Sequence, residues 1–285
     1  MNIQIIADSA CDLPDDIIEK YNIDVLPLIV NLDGKEYKDN VDIKPSELFK
    51  RMLEGAVPKT AQAPYESIEN MFKKYLTCNK PCIYISFSSE LSGTYQTARI
   101  VAQDIKEKYP DFDLTVIDSK AASLGYGLIV YLTALEAQNG DSKEEVINKI
   151  LFYKQHMEHI FTVNDLEYLY KGGRVSKTAA VLGSVLNIKP ILDVEDGKLI
   201  PIEKIRGRKK SINRMIEIVE ERSDRLSEQI VAINHADDLE TALSVKSKLE
   251  AKFGIKEFVI RDVGCAIGAH SGPGTLSIFF LNKLN

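Results

Sequence analysis

Short runs of β-forming apolar residues alternate with stretches of helical period along the first half of the chain. Residues 3–7, 24–31, 82–87 and 113–118 predict strands. Pro27 marks the second as an edge or bulged strand, and Asp33-Gly34 predicts a turn returning as a short hairpin through Tyr37. Helices are expected after Pro14, over 45–54 between Pro45 and Gly55, over 64–76, over 94–109 and over 121–138. Ser142 with Glu145 is a capping box that opens a further helix to about residue 156. This alternation predicts an α/β fold whose first domain, residues 1–160, is a doubly wound parallel sheet.

The second half has another texture. Strands are expected at 160–163, 190–194, 199–205, 230–234, 258–263 and 276–281, with helices over 165–170, 177–186, from the Arg206–Lys210 run to 222, and over 238–253. Glu195-Asp196-Gly197 predicts a hairpin turn. Residues 161–285 therefore read as a second α/β, α+β-like domain with a mixed sheet.

The helix expected over 121–138 lacks a polar face: Leu124, Leu128, Ile129, Val130, Leu132 and Leu135 surround it. Such a helix is buried. Gly125 and Gly127 each cost it about 1 kcal/mol and admit close approach of another helix or of an apolar ligand. The pair is not a dinucleotide-binding fingerprint, because it lies within a helix and Val130 stands where the third small residue belongs.

Composition narrows the function classes. The 285 residues carry 36 basic and 42 acidic side chains, a net charge of −6, which disfavours a general nucleic-acid binder. The N-terminal residues lack the basic and apolar regions of a secretory signal, and the longest apolar stretch is too short to span a bilayer, so a cytoplasmic protein is expected. Cysteines at 11, 78, 82 and 265 form no paired zinc signature, and no metal is expected.

Candidate chemistry sits in the loops. After the strand over 82–87, Ser88-Ser89-Glu90-Leu91-Ser92-Gly93-Thr94 leads into a helix, an arrangement that offers backbone N–H groups and a Ser92 hydroxyl to a carboxylate or phosphate. The same serines also serve as ordinary caps and turn formers. Thr60 lies in a loop stiffened by Pro58 and Pro64. Asp8, Ser9 and Asp12 follow the first strand, where open parallel sheets build their ligand crevice; Asp12 reads better as a cap. Asp118-Ser119 repeats the motif. His270 stands among Gly268, Gly272 and Gly274. Arg206, Arg208, Lys209 and Lys210, with Lys171, Arg174 and Lys177, form a basic set suited to an acidic partner or to solvent.

Taken together, Asp8-Ser9, Lys59-Thr60, the Leu91-Ser92-Gly93-Thr94 turn, Asp118-Ser119, Lys171-Gly172-Gly173-Arg174, Arg206-Gly207 and the His270-to-Gly274 region closely resemble the DegV family, over about residues 3–283. The family includes the fatty-acid-binding subunit of bacterial fatty acid kinase. The resemblance implies two α/β domains and one buried long-chain fatty acid, such as palmitate or oleate, as ligand rather than cofactor. It places the acyl chain in an apolar tunnel of the N-terminal domain; the apolar helix over residues 124–135 is a candidate for its wall and equally for ordinary core. Thr60, Ser92 and His270 would hold the carboxylate, with Ser9, Gly93 and Thr94 as supporting loop residues. A separate ATP-binding kinase subunit would phosphorylate the carboxylate, with Arg174 and Arg206 at the partner or phosphotransfer surface; transient membrane contact is compatible with such a carrier. Ala61 and Ala63 depart from the polar residues common around the threonine.

The implied role is a lipid carrier without catalysis of its own. The alternatives are a stand-alone hydrolase or phosphotransferase using Ser92, or a lipid-sensing regulator. Neither a nucleophile-elbow motif nor a P-loop is present.

Overall fold

The computed structural model describes residues 3–77, 80–164, 166–176 and 187–284. The expected helix over 177–186, with Lys177, and the residues Cys78 and Asp165 lie outside them.

Three sheets organise the described residues. The first is parallel, in the order β2 (Asp24–Leu26), β1 (Gln4–Asp8), β6 (Cys82–Ser86), β7 (Leu114–Asp118). Its central strands β1 and β6 are buried on both faces, which explains why they read as largely apolar runs. The second is mixed, in the order β10 (Lys198–Arg206), β9 (Ile188–Glu195), β8 (Met157–Thr162), β13 (Leu276–Leu281), β11 (Ile230–His235), β12 (Glu257–Asp262). Only its β11–β12 pair is parallel.

The third sheet escapes the hydrophobic pattern. Pro27 has no N–H to give a ladder, so the expected strand over 24–31 divides into β2 and β3 (Ile29–Leu32), which join different sheets. β3 lies between β4 (Lys35–Lys38) and β5 (Lys59–Ala61), antiparallel to both, with Thr60 opposite Val30. The expected Thr60 loop is thus a short edge strand.

The helices follow the expected order: α1 (Asp15–Lys20), α2 (Pro45–Leu53), α3 (Tyr65–Lys73), α4 (Thr94–Lys108), α5 (Ser123–Asn139), α6 (Lys143–His156), α7 (Glu167–Lys171), α8 (Arg208–Arg222), α9 (Leu239–Phe253) and α10 (Cys265–Ser271). The capping box at α6 forms in both directions, with Glu145 accepting from the Ser142 N–H at 2.8 Å. The sequence places α10 in a glycine-rich loop; it is a seven-residue helix. The division expected after residue 160 falls inside β8, all of which pairs in the mixed sheet.

Helix α5 is core. Leu124, Leu128, Ile129 and Val130 are at most 1 % exposed and pack with β1, β6 and α6 in one cluster. A Cβ on Gly127 would stand 2.1 Å from the Cys11 carbonyl oxygen, and one on Gly125 would stand 2.6 Å from His159 Nε2. The glycines therefore seat the helix against the turn after β1 and against the mixed sheet.

Candidate functional site

A cavity of about 270 Å³ lies where the loops of all three sheets meet. That is just under the roughly 300–1,000 Å³ common for ligand pockets. Much of its wall is apolar, including Leu28, Phe87, Leu91, Phe161, Leu199 and Phe279. Its polar residues gather from distant parts of the sequence: Thr60 on β5, Ser92 and Gly93 ahead of α4, Arg174 after α7, and His270 near the end of α10.

These groups are positioned by one another. Thr60 Oγ1 and His270 Nε2 are 2.7 Å apart. Ser92 Oγ accepts from the Thr94 N–H at 3.2 Å and shares a hydroxyl–hydroxyl contact of 2.8 Å with Thr94 Oγ1. That bond fixes the Ser92 hydroxyl at the first turn of α4. Gln62 donates to Thr97 Oγ1 at 2.6 Å and crosses so close to Gly93 that a Cβ there would meet its Oε1. Gly172 is required in the same sense, because a Cβ would lie 2.1 Å from His270 Nδ1.

Arg174 carries the charge of the site. Its guanidinium donates to the Leu91 carbonyl at 3.2 and 2.9 Å and to the Gly172 carbonyl. It has no acidic partner among the described residues. Burial lowers its pKa, and its charge adds to the burial that pushes His270 down to about 4. The imidazole is therefore neutral near pH 7 beside a fixed cation. When the imidazole donates Nε2–H to Thr60, the Thr60 hydroxyl is free to donate outward, so two hydroxyl donors, Thr60 and Ser92, and one uncompensated positive charge suit a carboxylate. The geometry gives Ser92 no general base, since the imidazole engages Thr60.

The structure thus brings together Thr60, Ser92, Gly93, His270 and Arg174. Thr94 stands behind Ser92 and is fully buried. Ser9 lies off the cavity: it donates to Asp39 at 2.7 Å and accepts from the Leu28 N–H at 3.0 Å, anchoring the segment that carries Leu28 to the wall. Asp8 and Asp12 are also off the wall. Asp8 accepts from Tyr84 and the Phe87 N–H, and burial raises it to about 6; Asp12 accepts from Ser123 and the Gly264 N–H, and burial raises it well above the carboxylate range. Asp118 binds Ser89 at 2.6 Å, and Ser88 donates to the Gly197 carbonyl at 2.8 Å, so those serines hold the loop. Arg206 is exposed at the end of β10, away from the cavity wall.

Two expectations are corrected. The cavity is not contained in the N-terminal half, since β8, β9, β10, β13 and α10 all contribute to its lining. Residues 124–135 do not wall it: of the α5 region only Ala122 and Ser123 line it, because the rest of the helix is enclosed in core. Sequence reading missed His159, Phe161, Ser277 and Phe279. Their signal is a two-residue alternation in β8 and β13 that puts His159 with Phe161, and Ser277 with Phe279, on one face.

Among the described residues no group of three or more His, Cys, Asp or Glu is placed to hold a metal ion, and no helix is long and apolar enough to cross a membrane. Cys11, Cys82 and Cys265 are buried.

Comparisons with known proteins cover the whole arrangement. The chain matches the model of the DegV family, described as uncharacterised proteins, over residues 2–283. A DegV domain-containing protein of Clostridium perfringens is 39 % identical over 280 residues, covering 97 % of this chain and 96 % of the relative. The solved structure of a DegV family protein from Thermus thermophilus, described for fatty acid binding, superposes with a TM-score of 0.90 at 30 % identity, covering 98 % of this chain and 99 % of that one. The Streptococcus pneumoniae fatty acid kinase B3 protein, loaded with linoleic acid, has the same fold, with a TM-score of 0.88 at 22 % identity and coverage of 99 % and 100 %. With a family model spanning all three sheets and every loop of the cavity, the chain belongs to the DegV family.

Proposed function

We propose that this chain binds one long-chain fatty acid and presents its carboxylate to a separate ATP-binding kinase subunit. One observation carries the reading: a largely apolar cavity with Thr60, Ser92 and His270 on its wall beside Arg174, a cation without an acidic partner among the described residues. The hydrocarbon supplies the affinity, at about 0.8 kcal/mol per buried methylene, on the order of 10 kcal/mol for more than a dozen before the costs of binding. The polar groups decide which end of the ligand meets them.

In this reading residues up to about 160 provide the Thr60 and Ser92 side, and the following residues provide the His270 and Arg174 side. Arg174 serves both the head group and phosphoryl transfer, and Arg206, exposed outside the cavity, serves the partner surface. The fatty acids named for the family's structures support the ligand class, and the kinase B3 protein supports the partner.

Native mass spectrometry of the purified protein tests the reading. A co-purified or added palmitate or oleate, bound one per chain, is expected. A protein that is empty and also refuses both acids overturns it.

A further inference from the structure

We propose that the cavity holds a second polar station, built by Ser277 with Asn234 and Ser123, and that it takes an acyl chain bearing a hydroxyl or oxo group along its length. This rests on the fatty-acid reading above and narrows its ligand.

The mixed sheet turns one face to α8 and α9 and the other to the cavity. Across β8, β13 and β11, register places Ser277 opposite Phe161 and Asn234, and Phe279 opposite His159 and Ala232. Paired residues share a face, with Cα atoms about 4.5–5.5 Å apart. Ser277 is 4 % exposed and lines the cavity, and its hydroxyl makes no hydrogen bond to another described residue. Its neighbour Asn234 is fully buried. The Asn234 amide donates to Ser123 Oγ, which donates to the Asp12 carboxyl, while the Gly264 N–H holds the other Asp12 oxygen at 3.0 Å. This chain orients the amide and leaves Asn234 Oδ1 without a partner among the described residues.

On the same face, His159 accepts the Ala122 N–H at 3.3 Å through Nε2, which leaves Nδ1 as a donor unpartnered among the described residues. Buried polar groups are normally paired. Ser277 and His159 line the cavity, with Asn234 behind the wall beside Ser277, so a hydroxyl and an imidazole face a chain that, if saturated, offers them nothing. A ligand hydroxyl donates and accepts, and an oxo group accepts; either satisfies Ser277. The carboxylate groups at Thr60, Ser92 and His270 are separate side chains, so head and chain oxygens are read independently.

The test is a competition assay on the full chain with stearate and a series of hydroxystearates in which the hydroxyl is moved along the chain. At least one isomer is expected to bind about 3- to 10-fold more tightly than stearate, the worth of one buried hydrogen bond. In Ser277→Ala the ratio of that isomer to stearate is expected to fall to one or below. Stearate bound as well as or better than every isomer overturns this proposal while leaving the fatty-acid reading intact, and that result is read on the unaltered protein whether or not the variant folds. A preference that survives unchanged in Ser277→Ala also overturns it. A protein that binds neither stearate nor any isomer removes both readings.

Discussion

The two faces of the mixed sheet come from the same six strands and share almost no chemistry. The face toward α8 and α9 carries Ile160, Ile191, Val231, Ile233, Ile278 and Phe280, packed against Ile212, Met215, Val219, Val245 and Leu249. The face toward the parallel sheet interleaves His159, Asn234 and Ser277 with Phe161 and Phe279. A face covered by helices can be filled with aliphatic side chains at close packing. A face that borders a ligand cavity must also serve whatever enters. The contrast separates stability from recognition within one element.

Four measurements test that separation. The largest effect is expected on the helix-backed face: Ile278→Ala removes a fully buried side chain and should lower unfolding free energy by about 2–5 kcal/mol in urea titrations. Leu199→Ala, half-buried on the cavity face, should cost under about 1 kcal/mol while weakening fatty-acid binding. Equal losses at the two sites would break the contrast.

The next effect is in acid. Burial holds His159 down to about 4, against an ordinary value of 6.5. Between those values the unfolded chain is protonated at this position and the folded protein is not, so stability falls as pH drops from about 6.5 to about 4. Asp8 and Asp39, raised to about 6 by burial, act with the opposite sign over about pH 4–6. Those carboxyls are common to wild type and His159→Phe and cancel in the difference. The variant should therefore gain roughly 3 kcal/mol relative to wild type between pH 7 and pH 4, at about 1.4 kcal/mol for each pH unit that separates the folded and unfolded pKa. Parallel pH profiles would show that His159 is not held neutral by the cavity face.

A smaller effect is expected at the head group. Thr60→Ala and Ser92→Ala should each weaken binding of a free fatty acid about 10-fold, as for loss of a hydrogen bond to a charged group, and weaken its methyl ester less. Unchanged affinities in both would move the carboxylate elsewhere. The smallest effect is at Gly172→Ala, where the new methyl meets His270 Nδ1. The displaced imidazole should lower acid affinity a few-fold and cost about 1 kcal/mol of stability; an unaltered protein would mean that His270 is freely placed.

Much of this architecture was legible from side-chain period. β1, β6 and β7 stand out as apolar runs, and the Ser142–Glu145 box marks α6, because those signals come from neighbours in sequence. The division of β2 from β3 was half visible: Pro27 announces an interruption, but nothing local says that the two pieces join different sheets. Helix α5 shows the converse case. Its all-apolar surface establishes burial and says nothing about what covers it, so core and ligand were both open, and core covers it.

The sequence by itself determined most of the element order, the α/β class, the family resemblance and the candidates Thr60, Ser92, His270 and Arg174, since propensity, capping and motif spacing are properties of local chain. Only the tertiary structure decided that Thr60 meets His270 across 210 positions of sequence, that Ser9 and Arg206 stand off the cavity, and that His159 and Ser277 line it. Those outcomes depend on strand order and on which sheet face is covered. Both are fixed by long-range packing, and a residue's own neighbours in sequence carry no record of it.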